Sequence, residues 1–279
     1  MNVSANLIDK LRDPKEKTAL TWLLVCSIPI WIMFVAWTII SIGGFLLIVG
    51  FIVLIRFLAE LFAVAYIKSN AIEVSENQIP GVYEAARVCC EKLGSNQPAV
   101  YVMQDGLWNA FAMKLAGRRI VVLLSGAIDS LLLKGDMRQV TWLIGHEIGH
   151  HAAGHLDFLS KTAEFGAWLP WLLLWYKRRC ELTCDRIGLY CTGDPTACLT
   201  ALANLSVGAQ LAPCVNINEA IAQWHRHQHE VYVRYRTIYS THPPHLWRME
   251  EMAKAAAVMG MFASASNNSP ASDRQPPTA

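Results

Sequence analysis

Uncharged residues run without interruption from position 19 to position 55, and the apolar character continues to position 67 through Arg56 and Glu60. A helix rises 1.5 Å per residue and needs about 20 residues to cross the hydrocarbon core, so this run has the length of two crossings. Ser41-Ile42-Gly43-Gly44 offers a hinge, which predicts a hairpin of residues 19–40 and 45–67. Pro29 is tolerated in such a helix and can kink it. A cleaved signal peptide fits poorly, because its apolar region would be far shorter and end at small residues. Beyond the hairpin the periodicity changes. An amphipathic helix is predicted over 81–93, strands over 99–103 and 120–124, and a longer helix from about 136 to 154. Asp194-Pro195 marks a turn into another helix. The apolar patch 165–176 is too short to span and carries three tryptophans. It reads as an element dipping into the membrane interface, with a buried core helix as the alternative. The organisation expected is a short polar arm (1–18), the hairpin (19–67), one folded domain (68–263) and a disordered Ser/Asn/Pro/Ala tail (264–279).

Charge adds an orientation. Lys10, Arg12, Lys15 and Lys17 precede the first span and Lys68 follows the second, while the connecting turn has no basic residue. The positive-inside rule then puts both ends, and the domain with them, in the cytosol. Arg56 and Glu60 are four apart and can pair; they read either as residues snorkelling near the cytosolic end or as functional groups in the membrane. A net charge of +2 gives no basic field for nucleic acid. The eight cysteines form no Cys-x-x-Cys pair, which fits a reducing compartment.

The chemistry concentrates in His146-Glu147-Ile148-Gly149-His150. On a helix the two imidazoles lie one turn apart on one face and can reach one cation, with Glu147 placed to take a proton from an activated water. A catalytic zinc needs a third protein ligand and an open position. The spacing that would use residues 153 and 156 is closed, because these are Ala153 and Leu156. Glu181 can serve instead, with Asp185 one turn on to accept the free N–H of a ligand histidine. The plainer reading is an exposed acidic face paired with Arg178, Arg179 and Arg186. His151 and His155 point about 100° and 140° away from His150 on an undistorted helix, so neither replaces a ligand. Cys180 and Cys184 flank the acidic pair and read as small buried thiols. His225, His227 and His229 alternate as on one face of a strand, a solvated patch or a second metal site.

The order His146-Glu147-x-x-His150, then Glu181-x-x-x-Asp185, resembles the gluzincin metallopeptidases of the membrane-bound HtpX and CAAX-prenyl-protease group. Ile79-Pro80-Gly81-Val82-Tyr83 resembles that family's opening helix, and Gln97-Pro98-Ala99-Val100-Tyr101-Val102 its first strand. Trp108-Asn109-Ala110-Phe111-Ala112 resembles the approach to its substrate-binding edge strand, and Thr241-His242-Pro243-Pro244 with Arg248 its late His-Pro signature. The likeness covers roughly residues 79 to 250. It implies an α+β protein in which the hairpin precedes a mainly helical zincin-like domain with a small sheet. It further implies one Zn2+ per chain on His146, His150 and Glu181, with Glu147 as general base. His242 and Arg248 would stabilise the oxyanion or hold the site together, and Asn109 and Ala110 would pair with an extended substrate. Two departures stand out. Met113-Lys114 replaces the usual small residues, which predicts a different loop there, and the segment between the metal helices is shorter than in members with four spans.

The function implied is a membrane-anchored endopeptidase acting on proteins, including membrane proteins, at a cell inner membrane. The alternatives are a non-proteolytic scaffold that keeps the fold and a CAAX-type processing protease. Glu147 argues against the first, since a structural site needs no base, and a single hairpin argues against the second.

Overall fold

The computed structural model describes residues 3–41, 43–104, 110–115, 118–132 and 136–261. Asn109 and the tail 264–279 lie outside them. The chain is mostly helical with one small sheet, the α+β class expected. It begins with α1 (Val3–Leu11), α2 (Glu16–Ile40) and α3 (Gly44–Asn70). The expected hinge is present: α2 ends at Ile40, and Gly43 takes φ +82° immediately before α3, a left-handed value that favours glycine. Both helices are long and apolar enough to cross a membrane, and little of either is covered by protein.

Four strands follow in part: β1 (Ile72–Glu73), then α4 (Pro80–Leu93), β2 (Ala99–Met103), β3 (Ala110–Leu115) and β4 (Arg118–Leu124). The sheet order is β1-β2-β4-β3, with β2 and β4 parallel and the other pairs antiparallel. Strand β4 is apolar on both faces because both are covered. Val121 and Leu123 enter the main core, whereas Ile120, Val122 and Leu124 meet Ile67 at the end of α3. The membrane hairpin is thus seated on the sheet. Met113 and Lys114 form no separate loop; β3 runs through both, and Lys114 makes an ion pair with Asp157.

The helical remainder comprises α5 (Ser125–Leu132), α6 (Met137–Ala152), α7 (Phe158–Ala163), α8 (Pro170–Thr192), α9 (Pro195–Val207), α10 (Ile217–His227), α11 (Val231–Ile238) and α12 (His245–Val258). Asp136 caps α6 by accepting from the Arg138 N–H, and Asp194 caps α9 by accepting from the Ala197 N–H. The histidines at 225 and 227 lie on α10, with His229 just beyond it, so the strand reading is wrong. Asn216 caps this helix, and Ala220 and Trp224 are buried four residues apart, a helical spacing. Residues 164–168 form a 3-10 turn against α2: Trp168 donates its indole N–H to the Cys26 carbonyl at 2.7 Å. A Cβ on Gly166 would come within 2.5 Å of the Leu23 carbonyl oxygen. This segment therefore packs directly against the first apolar helix, with Phe158, Phe165, Trp168 and Trp171 facing outward.

The arm does not stand apart. Ile8 and Leu11 of α1 belong to the main core.

Candidate active site

The site is built on the crossing of α6 and α8, which small residues make close. A Cβ on Gly188 would lie 2.7 Å from the Trp142 carbonyl oxygen, and one on Gly145 would lie 3.0 Å from Cys191. Gly149 meets Cys184 in the same way at 3.3 Å. Cys180, Cys184 and Cys191 are buried and free of disulfides, as small packing residues, and burial pushes the Cys184 thiol well up. At this separation Glu181 of α8 reaches between both rings of α6. Glu181 Oε2 is 3.4 Å from His146 Nε2, and Oε1 is 3.5 Å from His150 Nε2. Donors bound tetrahedrally at about 2.1 Å from one ion stand about 3.4 Å apart. The donor set, two imidazoles and a carboxylate, therefore fits a zinc of the catalytic kind.

Behind His146, Asp185 Oδ1 lies 3.0 Å from Nδ1. Arg248 holds that carboxylate with two bonds, Nε to Oδ2 at 2.8 Å and Nη2 to Oδ1 at 2.6 Å. The acidic pair is therefore not an exposed face: Glu181 and Asp185 are buried. Arg178 instead donates to the Ile238 and Ser240 carbonyls, and Arg179 and Arg186 face Asp13. In the metal-free protein burial disfavours charge on His146, but Asp185 and Glu181 outweigh it and raise its pKa to about 10. Burial dominates at His150 and lowers its pKa to about 3. Burial also opposes charge on Glu181, yet His146, His150 and His242 hold it well below the usual carboxylate range. At Glu147 burial outweighs the opposing charges of His146 and Arg248 and lifts the pKa to about 7.

These groups line a cavity of about 830 Å³. Ala110, Phe111 and Ala112 of β3 form one wall, so the edge strand of the sheet borders the site. His242 stands on the opposite side, half-exposed, with Nε2 3.6 Å from Glu181 Oε2. The Thr241 hydroxyl is 2.9 Å from His242 Nδ1. Expected residues that converge are thus His146, Glu147, His150, Glu181, Asp185, His242, Arg248 and Ala110. The histidines at 225, 227 and 229 are elsewhere: His225 faces Glu250 and His227 pairs with Glu230.

His155 was not expected here. Helix α6 stops at Ala152 and Gly154 turns back at φ +77°, so the angular argument for a continuous helix does not apply. The His155 ring returns beneath His150, Nδ1 to Nδ1 3.2 Å. Glycine just beyond a helix is a C-terminal signal that could have revealed this. His151 does point away as expected, its Nε2 3.2 Å from the Ile120 carbonyl.

A largely buried donor triad beside the Glu147 carboxylate, on two helices against a small sheet, defines a metallopeptidase. The chain belongs to peptidase family M48, whose profile matches residues 81–159 and 157–256. Several of its relatives are protease HtpX homologs. It is 24% identical over 232 residues to a protease HtpX homolog of Bifidobacterium longum, covering 68% of this chain and 75% of that one. It is 23% identical over 263 residues to a protease HtpX homolog of Pyrococcus furiosus, covering 79% and 89%. A chloroplastic plastoglobule-localized metallopeptidase 48 of Arabidopsis thaliana is 26% identical over 169 residues, 55% of this chain and 48% of that protein. The chain thus spans about half the length of that plant relative. No solved structure matches it.

Proposed function

We propose that the protein is a zinc endopeptidase anchored by α2 and α3, with its cleft on the cytosolic side of a cell inner membrane. One zinc per chain would be held by His146, His150 and Glu181. The observation that carries this reading is the convergence of those three donors beside Glu147, at a cavity bordered by an edge strand. When bound, zinc supplies a Lewis acid that acidifies water and polarises a carbonyl. Glu147 accepts the proton from the attacking water and later passes it to the leaving amine. Thr241 can donate its hydroxyl hydrogen to His242 Nδ1, which keeps a proton on Nε2 facing the cleft. His242 is then the donor to the developing oxyanion. Arg248 acts behind Asp185, with two donors already engaged there. An extended peptide would pair with Asn109 and with Ala110, the latter at the start of β3.

Substrates are proteins or peptides, including membrane proteins presented at the bilayer, and nucleic acid is not among them. Two observations support a membrane-proximal cleft. Residues 164–168 pack on α2, and α8 runs from there to Glu181, a distance of about 16 Å from Pro170 by helical rise. The test uses detergent-solubilised full-length protein and casein. Wild type should cleave, chelator should stop it, and Glu147→Gln should lose at least about 100-fold in rate while keeping its zinc. Undiminished cleavage by Glu147→Gln would sink the assignment, and intact casein with zinc-loaded wild type would favour the scaffold.

A further inference from the structure

The zinc reading leaves a cluster unexplained. Glu16, the first residue of α2, is fully enclosed although it heads a helix otherwise made for lipid. Its carboxylate accepts from the Thr183 hydroxyl and ion-pairs with Arg12. Its Oε1 lies 3.2 Å from His155 Nε2, a charge contact whose alignment falls short of a hydrogen bond. His155 in turn reaches His150, Nδ1 to Nδ1 3.2 Å. The neighbouring arm is latched to the same place. Asp13 donates its backbone N–H to Thr183 Oγ1 at 2.8 Å and faces Arg186 and Arg179 at 3.5 and 3.7 Å. Arg12 donates to the Ala153 carbonyl at 2.7 Å, and Arg186 to the Arg12 carbonyl at 3.2 Å.

We infer that Glu16, acting through His155, is a positioning residue for the metal ligand His150. The inference rests on the zinc reading above. His150 offers Nε2 to the metal because that atom faces Glu181, so its proton sits on Nδ1. That N–H donates to His155 Nδ1, which must then be unprotonated. The His155 proton is therefore on Nε2, the atom that faces the Glu16 carboxylate. The first proton is accepted by His155 Nδ1, the second faces the Glu16 carboxylate at 3.2 Å, and the series ends on an anion, as in carboxylate–histidine–metal arrangements. A histidine tied only to another neutral ring would be free to turn; the carboxylate fixes the orientation of both. The same device stands behind His146 in shorter form, as Asp185. The difference is that Glu16 comes from the arm and the start of the membrane helix, so the membrane anchor itself supports the metal site.

A rival use of these atoms is a second metal. His155 also lies 3.6 Å from the Cys184 thiol, and His150, His155 and Cys184 could group around an ion. It is disfavoured because His150, whose Nε2 already faces Glu181, would have to serve both ions.

Zinc binding by the full chain in detergent, measured by competition with a chromophoric chelator, decides between them. Wild type should bind one equivalent. Glu16→Gln keeps the volume and removes the charge, and should weaken zinc binding about tenfold or more. The visible band of the cobalt-substituted protein should shift as well, which a purely structural role would not produce. In a His155→Phe background Glu16→Gln should add nothing, because the link is already cut. Unchanged affinity and cobalt spectrum in Glu16→Gln, or additive losses in the double variant, would overturn the relay. So would loss of a second zinc equivalent on replacing His155. Wild type that takes up no zinc at all would instead sink the metal reading. Should Glu16→Gln fail to fold, Glu16→Asp (charge kept at shorter reach) should show an intermediate loss. His155→Gln, which can still accept from His150, should show a loss no larger than His155→Phe; no loss in either would again overturn the relay.

Discussion

Two imidazoles one turn apart on α6 are held by opposite kinds of neighbour. His146 has a carboxylate behind it, Asp185, itself gripped by both arms of Arg248. His150 has a second imidazole behind it, and the carboxylate on that side, Glu16, is one residue further away. In the metal-free protein burial acts against charge on both rings. At His146 the acids win and the pKa rises to about 10; at His150 they do not and it falls to about 3. The lesson is that a motif specifies which atoms meet the ion, whereas the residues behind the motif decide how each ligand is charged and held.

The His146 side should break hardest. Arg248→Met removes the partner of a buried carboxylate, and stranding such a charge costs about 3–5 kcal/mol. Unfolding by denaturant should show that loss, and adding Asp185→Asn should recover much of it. A loss below about 1 kcal/mol would mean that Asp185 is satisfied without Arg248.

Glu147 belongs to neither side and shows an acid whose burial outweighs the positive charges near it. Its folded pKa of about 7 lies above its ordinary value of 4.5, so the folded protein binds the extra proton. The contribution of Glu147 to the stability of the metal-free protein should therefore fall as pH rises from about 4.5 to about 7, by about 3 kcal/mol, and the comparison with a variant lacking this carboxylate isolates it from His150, whose depressed pKa acts in the opposite sense. Glu147→Gln carries no such charge. Metal-free Glu147→Gln should match wild type near pH 4.5 and exceed it by about that amount above pH 7. Parallel melting curves across this range would show that the carboxylate finds a partner.

The foundation shared by both sides is the α6/α8 crossing. Gly188→Ala would drive a Cβ to 2.7 Å from the Trp142 carbonyl oxygen, a backbone atom that cannot rotate aside. Overpacking of this kind costs about 1–3 kcal/mol and should loosen Glu181 from both rings. Melting temperature and zinc affinity should fall together. If only the first falls, Glu181 is positioned by something other than the closeness of the helices.

This asymmetry also explains what could be read from the chain. The hairpin follows from 37 consecutive uncharged positions, 19–55, and the strands over 99–103 and 120–124 from short β-branched runs. His146, His150, Glu181 and Asp185 are visible because each pair obeys a four-residue helical spacing, a local rule. Glu16 and His155 obey none: they are 139 positions apart, brought together only when the arm folds onto α8. The histidines at 225–229 misled for a related reason. Alternation over five residues suits a strand, but the buried Ala220 and Trp224 and the Asn216 cap set the helical period over a longer stretch.

The mildest perturbation should act on the His150 side alone. Gly154 returns the chain at φ +77°, where a side chain costs about 1–2 kcal/mol, and an added Cβ would also stand 3.1 Å from Asp157 Oδ2. Gly154→Ala touches no ligand and lies on the far side of His150 from Asp185. It should displace His155 and weaken zinc binding severalfold while leaving the Asp185–Arg248 pair in place. A melting temperature lowered with zinc affinity intact would show that His150 holds its direction without the ring beneath it. A loss of both would tie this turn, and the arm that meets it, to the metal.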